Sequence, residues 1–87
     1  MYVIVVYDIS SGCISKVHDF LSTYLIWVQN SVFEGELTEK EFRTVADKLI
    51  KLIDEELDSV LIYSVRDEKV IKKTEIGLPK NTGSNII

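Results

Sequence analysis

The stretch "VIVVYDISSG", residues 3–12, decides how this chain folds. Its first half is apolar and β-branched, the composition of a strand. Asp8 ends the run, and Ser10, Ser11 and Gly12 mark a loop. Residues 1–9 read as one strand with two apolar faces, Tyr2, Ile4 and Val6 on one and Val3, Val5 and Tyr7 on the other. A half-exposed strand would alternate, so this one is written for burial on both sides. A carboxylate at the end of such a strand has two readings. Asp8 turns the chain and caps the following helix, as Asp often does, or it is a metal ligand. Magnesium keeps most of its waters and asks for only one or two protein carboxylates. One Asp8 per chain is thin, but two brought together across a dimer axis would be enough.

The rest of the composition sets the frame. The 87 residues suffice for one domain, and a chain this short buries roughly 60–65% of its unfolded surface. With 46% hydrophobic residues, one Pro and four Gly, it is too apolar to be disordered. No apolar stretch approaches the ~20 residues of a membrane span, and the N-terminus has neither a basic region nor a small-residue cleavage site. Cys13 is the only cysteine, which excludes an intrachain disulfide and a Cys-based zinc site and suits a reducing cytoplasm. The net charge of −4 opposes general attraction to nucleic acid, so a nucleic-acid role needs a local basic surface, a metal or a basic partner.

Ile14, Val17, Phe20, Leu21 and Tyr24 recur at helical spacing. "IWVQNSVFEG", residues 26–35, reads as a second strand, with Trp27, Gln29, Ser31 and Phe33 on one side and Gly35 at its end. In "LTEKEFRTVADKLIKLIDEEL", residues 37–57, Phe42, Val45, Ala46, Leu49, Ile50 and Ile53 form a continuous stripe. Thr38 and Glu41 fit a capping box, which predicts a helix over 38–54, about 25 Å long. A third strand is expected over 60–65, a hairpin turn at "RDEK" (66–69) and a fourth strand at "VIKKTEIG" (70–77). The expected class is α+β, one antiparallel sheet with two helices on one face, formed by residues 1–80 with a tail at 81–87.

Two helices on one face leave the other face of the sheet uncovered, although the first strand is apolar on both sides. A second copy of the chain is the simplest cover, which predicts a symmetric homodimer joined through the sheets. Ile86 and Ile87 end the chain with apolar side chains suited to docking, for instance by strand addition to a sheet edge, the partner subunit's or another protein's.

Other side chains carry weaker signals. His18 falls on the polar side of the first helix and reads as a surface residue. Glu34 and Glu36 flank Gly35 in what reads as a solvated turn, and "DEELD", residues 54–58, as a solvated helix end. Cys13 has no basic cluster to activate it, and no phosphate-binding Gly loop, Ser-His-Asp order or His-rich metal pattern is present. Lys16 is the only Lys or Arg before Lys40; from Arg66 to Lys80 there are five, set against Asp67, Glu68 and Glu75.

"MYVIVVYDI" (1–9), "WVQNSVFEGELTE" (27–39) and "IGLPKNTGSNII" (76–87) together resemble the second CRISPR-associated core protein, the small partner of the CRISPR integrase in spacer acquisition. The resemblance covers nearly the whole chain, and "QNSVFEGEL" is its most specific part. It implies a ferredoxin-like fold in which "VFEG" and its flanks run as the edge strand pair with the third strand, and a homodimer whose C-terminal strand joins the partner's sheet. It also implies a prokaryotic cytoplasmic protein that bridges integrase subunits and holds prespacer DNA. Metal-dependent endonuclease activity on RNA or duplex DNA is implied as well, with Mg2+ or another divalent ion bound between two subunits. Carried over by position, Asp8 matches the family's metal-binding aspartate, Tyr7 precedes it, and Phe33 matches the phenylalanine near the active site. The family's arginines early in the first helix are represented by Lys16 alone, and Trp27 stands where some members have a basic residue. A stand-alone ribonuclease toxin on the same fold is the alternative.

Overall fold

A computed structural model describes residues 1–80. The elements are β1 (Tyr2–Asp8), α1 (Ile14–Tyr24), β2 (Ile26–Gln29), β3 (Val32–Glu36), α2 (Glu39–Leu52) and β4 (Ser59–Val65), followed by a short 3-10 turn, Glu68–Val70. The strands form one antiparallel sheet in the order β2-β3-β1-β4. The most β-branched segment, β1, is central and pairs along its length with β4. Val3, Val5 and Tyr7 point toward the helices and share one core with Val17 and Leu21 of α1, Phe33 of β3, and Val45 and Leu49 of α2. This is the expected ferredoxin-like α+β architecture, with both helices on one face.

The helix of residues 37–57 starts where its cap places it. Thr38 Oγ1 accepts from the Glu41 backbone N–H at 3.1 Å, and the Glu41 carboxylate accepts from the Thr38 backbone N–H at 2.9 Å. Its end at Leu52 falls two residues short of the expected Asp54. There the Asp58 carboxylate, rather than another helical turn, takes the Asp54 backbone N–H.

Two strand readings are corrected. Residues 26–35 are not one strand but a hairpin, β2 and β3, with Trp27 opposite Phe33 and a bulge between Trp27 and Gln29. The chain reverses at Asn30, whose φ of 46° lies in the left-handed region that Asn tolerates better than most residues. Gly35 therefore does not end a strand but sits inside β3, and β3 is not at the edge beside the third expected strand: it lies between β2 and β1, because β1 takes the centre and separates it from β4. A Cβ at Gly35 would meet Leu25 Cδ2 at 3.0 Å, so the glycine allows close packing of the segment that leaves α1. Nor do Glu34 and Glu36 form a solvated turn: they are strand residues, paired opposite Ile4 and Tyr2.

Residues 70–77 form no strand, and "RDEK" forms no hairpin turn. Asp67 instead accepts from the Lys69 backbone N–H at 3.0 Å and starts the 3-10 turn. The chain then passes from the β4 side of the sheet to the β3 side, where Lys73 Nζ donates to Glu34 Oε2 at 2.5 Å. The tail reading for 81–87, including the docking of Ile86 and Ile87, lies outside the described residues.

Candidate functional site

Strand alternation splits β1 into two working faces. Tyr2, Ile4, Val6 and Asp8 lie on the face away from the helices, the open face. Their partners on β4 are Val65, Tyr63, Leu61 and Ser59 in that order. Leu61 and Tyr63 are 57% and 59% exposed, and Ile26 of β2 is 59% exposed. The open face is thus an apolar surface with the Asp8 carboxylate at its end. Asp8 is exposed, and no hydrogen bond or ion pair engages its carboxylate among the described residues.

The other two residues singled out by the resemblance sit on the covered side. Tyr7 is 5% exposed and Phe33 fully buried, their rings stacked with centroids 6.3 Å apart. The His18 ring meets Phe33 edge-on at 5.1 Å. His18 is therefore half-buried against the core rather than a surface residue; an aromatic partner brought in by the hairpin draws it inward. Burial pushes the Tyr7 phenol up from 10.0, and a hydrogen bond with Ser31 partly opposes this. The structure brings Tyr7 and Phe33 together beneath the end of β1 and sets Asp8 on the opposite face.

Lys16 projects into solvent from the first turn of α1, a helix with no acidic residue in that turn. The shallow cavity beside Tyr7, about 280 Å³, is lined by Ile14, Ser15, His18, Asp19, Asn30 and Ser31 and by no Lys or Arg. Lys16 is the one Lys or Arg in α1.

The residue that sequence reading passed over is Asp58. It is 7% exposed, buried between the loop after β1 and the loop before β4. Asp58 Oδ1 accepts from the Ser10 and Ser11 backbone N–H groups at 2.7 and 2.9 Å. Oδ2 accepts from Ser11 Oγ at 2.6 Å and from the Asp54 N–H at 2.8 Å. The Cys13 thiol lies 3.7 Å from the same oxygen. Burial by itself would push the Asp58 carboxyl up; donation from Asp54, Ser11 and Ser10 outweighs it and holds the group well below the usual carboxylate range. "DEELD" is thus not uniformly a solvated helix end, because its last residue is an internal anchor.

Among the described residues, no three His, Cys, Asp or Glu side chains group closely enough to hold a metal ion. Asp58 is engaged by donors within the fold, whereas the Asp8 carboxylate at the same end of the sheet is open. One hard, unpaired carboxylate per chain, on a face two copies could share, fits a hydrated Mg2+ held by one or two carboxylates.

At the other end of the open face, Tyr2 is pushed up to about 12. Its burial is the main cause, with Glu34, Glu68 and Glu36 adding to it. Glu36 also pairs with the N-terminal amine at 2.9 Å.

The strand order, with both crossover helices on one side, places the chain among ferredoxin-like α+β proteins. Within that class the sequence is specific: residues 1–73 match the family of CRISPR associated protein Cas2, and the chain belongs to it. It is 48% identical to a "CRISPR-associated endoribonuclease Cas2" of Methanosarcina acetivorans, with all of both chains covered. A protein of the same name from Pyrococcus furiosus is 46% identical, again over the whole of both chains. A crystal structure of Cas2 superposes with a TM-score of 0.84 at 42% identity, covering 93% of this chain and 91% of that one. The Streptococcus pyogenes Cas2 crystal structure at pH 6.5 gives 0.72 at 29% identity, covering 86% of this chain and 100% of that one. The resemblance read from the three sequence segments is borne out. No helix among the described residues is long and apolar enough to cross a membrane.

Proposed function

We propose that this chain works as a homodimer in CRISPR spacer acquisition, bridging integrase subunits and binding nucleic acid, and that its paired Asp8 side chains support metal-dependent endonuclease activity. One observation carries the reading: the apolar open face of Ile4, Val6, Leu61 and Tyr63 ends in the unpaired carboxylate of Asp8. A second copy set against that face covers the apolar side chains and brings the two Asp8 groups to a shared axis. When bound there, Mg2+ supplies charge neutralisation at a phosphodiester and an activated water. Asp8 holds the ion, Lys16 pairs with a backbone phosphate, and the Tyr7–Phe33 stack keeps the strand end rigid beneath Asp8. The names of the full-length relatives support nuclease chemistry on RNA. The overall charge of −4 fits a protein that meets nucleic acid with help from a metal or a basic partner.

The test is an integration assay with the cognate integrase, alongside cleavage of RNA and duplex DNA in Mg2+, comparing the unaltered protein with Asp8→Ala. The expected result is loss of cleavage with integration retained. Integration that proceeds equally well without this protein would defeat the bridging role; cleavage unchanged by the substitution would defeat the Asp8 site.

A further inference from the structure

The chain between Asp8 and Lys16 is a loop, residues 9–13, followed by the first turn of α1, and the loop has no ladder or helix of its own to fix it. Gly12 within it adopts φ 96°. Ile9 and Cys13 pack against the core, and the hydrogen bonds that tie the loop to the rest of the fold go to Asp58, 45 to 48 residues away in sequence, through Ser10, Ser11 and Cys13. Asp58 is itself fixed, since its own backbone N–H donates to the Asp54 carbonyl at 2.8 Å while its carboxylate takes the Asp54 N–H. It also directly precedes Ser59, the β4 residue paired with Asp8. One carboxylate therefore ties the exit of β1, the entry of α1 and the entry of β4 into a single unit.

We infer that Asp58 is a positioning residue that sets the placement of Lys16 relative to Asp8, so that a phosphate held by the lysine lies in register with the Asp8 carboxylates. This rests on the proposed roles of Asp8 and Lys16. Asp58 acts through the loop and touches neither substrate nor ion. Its oxygens are each occupied by two donors of about 2.6–2.9 Å, a geometry suited to an anchor and closed to a ligand. Asn in its place keeps the shape but turns one acceptor into a donor facing the Ser11 hydroxyl and the Asp54 N–H, or the two Ser N–H groups if the amide is reversed. Ser11→Ala removes only the shortest of the bonds.

The experiment is a double-mutant cycle on the unaltered protein, Asp58→Asn, Lys16→Ala and the double variant, with Ser11→Ala as the milder probe. Cleavage of single-stranded RNA and of duplex DNA in Mg2+ is measured per folded dimer, binding of the same nucleic acids is measured in EDTA, and thermal midpoints are recorded for every variant. Asp58→Asn is expected to lower kcat/KM about 10-fold, the lower range for losing a residue that orients an active group. Ser11→Ala should move it a few-fold in the same direction, and the double variant should be little worse than Lys16→Ala alone, because both act through one contact. Penalties that simply multiply, or thermal midpoints that fall while cleavage and binding per folded dimer stay unchanged, would reduce Asp58 to a staple of the fold and overturn the inference. If the unaltered protein binds but cleaves nothing, the nuclease reading fails separately, and the cycle is decided on binding by the same criterion of coupling against additivity. A protein that neither binds nor cleaves overturns both.

Discussion

Asp8 and Tyr7 are neighbours in the chain and face opposite sides of the sheet. Tyr7 is stacked on Phe33 in the core, whereas Asp8 is exposed at the end of an apolar surface. This one step of strand alternation divides the work of β1. Its covered face supplies rigidity, and its open face supplies the surface and the carboxylate. The consequences differ for each face and can be separated by substitution.

The open face is expected to carry the dimer. Leu61 is 57% exposed in the single chain and lies opposite Val6. Leu61→Glu would place a charge in the interface, where an uncompensated ion costs about 3–5 kcal/mol. Self-association should weaken by more than about 100-fold. Sedimentation should then find monomers whose far-ultraviolet circular dichroism matches that of the unaltered chain. A dimer of unchanged affinity would exclude this face as the contact.

The covered face acts through packing. Phe33→Ala should cost about 3–5 kcal/mol, a large part of the stability of a domain this size. Loss of cleavage in that variant would therefore report unfolding. Phe33→Leu keeps an apolar filler and should leave a folded protein with a lower thermal midpoint. Its cleavage per folded chain should be close to that of the unaltered protein. A large fall in kcat at full folding would instead give the ring a direct part in the chemistry.

Stability should depend on pH at both extremes. The Tyr2 phenol is raised from 10.0 to about 12 in the folded chain, so its neutral form is favoured by folding. Its contribution is complete below pH 10 and is lost as the pH rises toward 12. For Asp58 the sign is opposite. Its carboxyl is lowered from 3.8, so its contribution is present above that value and is lost as the pH falls below it. Denaturation measured across pH should show both flanks, with Tyr2→Phe flattening the alkaline one and Asp58→Asn the acid one. An alkaline fall of equal size in Tyr2→Phe would show that another group is responsible.

The start of α2 is expected to behave as an independent local device. Thr38→Ala removes the side-chain acceptor of the capping box. It should cost about 1 kcal/mol, lowering the thermal midpoint by about 4–8 °C with no change in nucleic-acid binding.

Where the sequence was easy to read, the signal was local. The capping box of Thr38 and Glu41 and the stripe from Phe42 to Ile53 lie within a few turns of each other, and α2 follows from them almost directly. The β-branched run of β1 is of the same kind. The hairpin was hidden because its turn uses Asn30 and Ser31 without Gly or Pro, so the run from Ile26 to Gly35 scans as one unbroken strand. Residues 70–77 depart from their strand-like pattern for the converse reason. Their β-branched start suggests a strand, but the Asp67 side chain caps a 3-10 turn there instead. Asp8 stood out because a carboxylate ends an apolar run. Asp58 did not, since nothing around residues 54–58 points to Ser10 and Ser11, and only the fold joins them. His18 was likewise drawn inward by Phe33, which the hairpin supplies.

Metal stoichiometry tests the paired Asp8 site. Mn2+ should be titrated into the unaltered protein and into Asp8→Asn, with free ion followed by electron paramagnetic resonance. One ion bound per two chains, absent in Asp8→Asn, is the expected result. One ion per chain, or binding unchanged by the substitution, would contradict a site shared between the two Asp8 carboxylates.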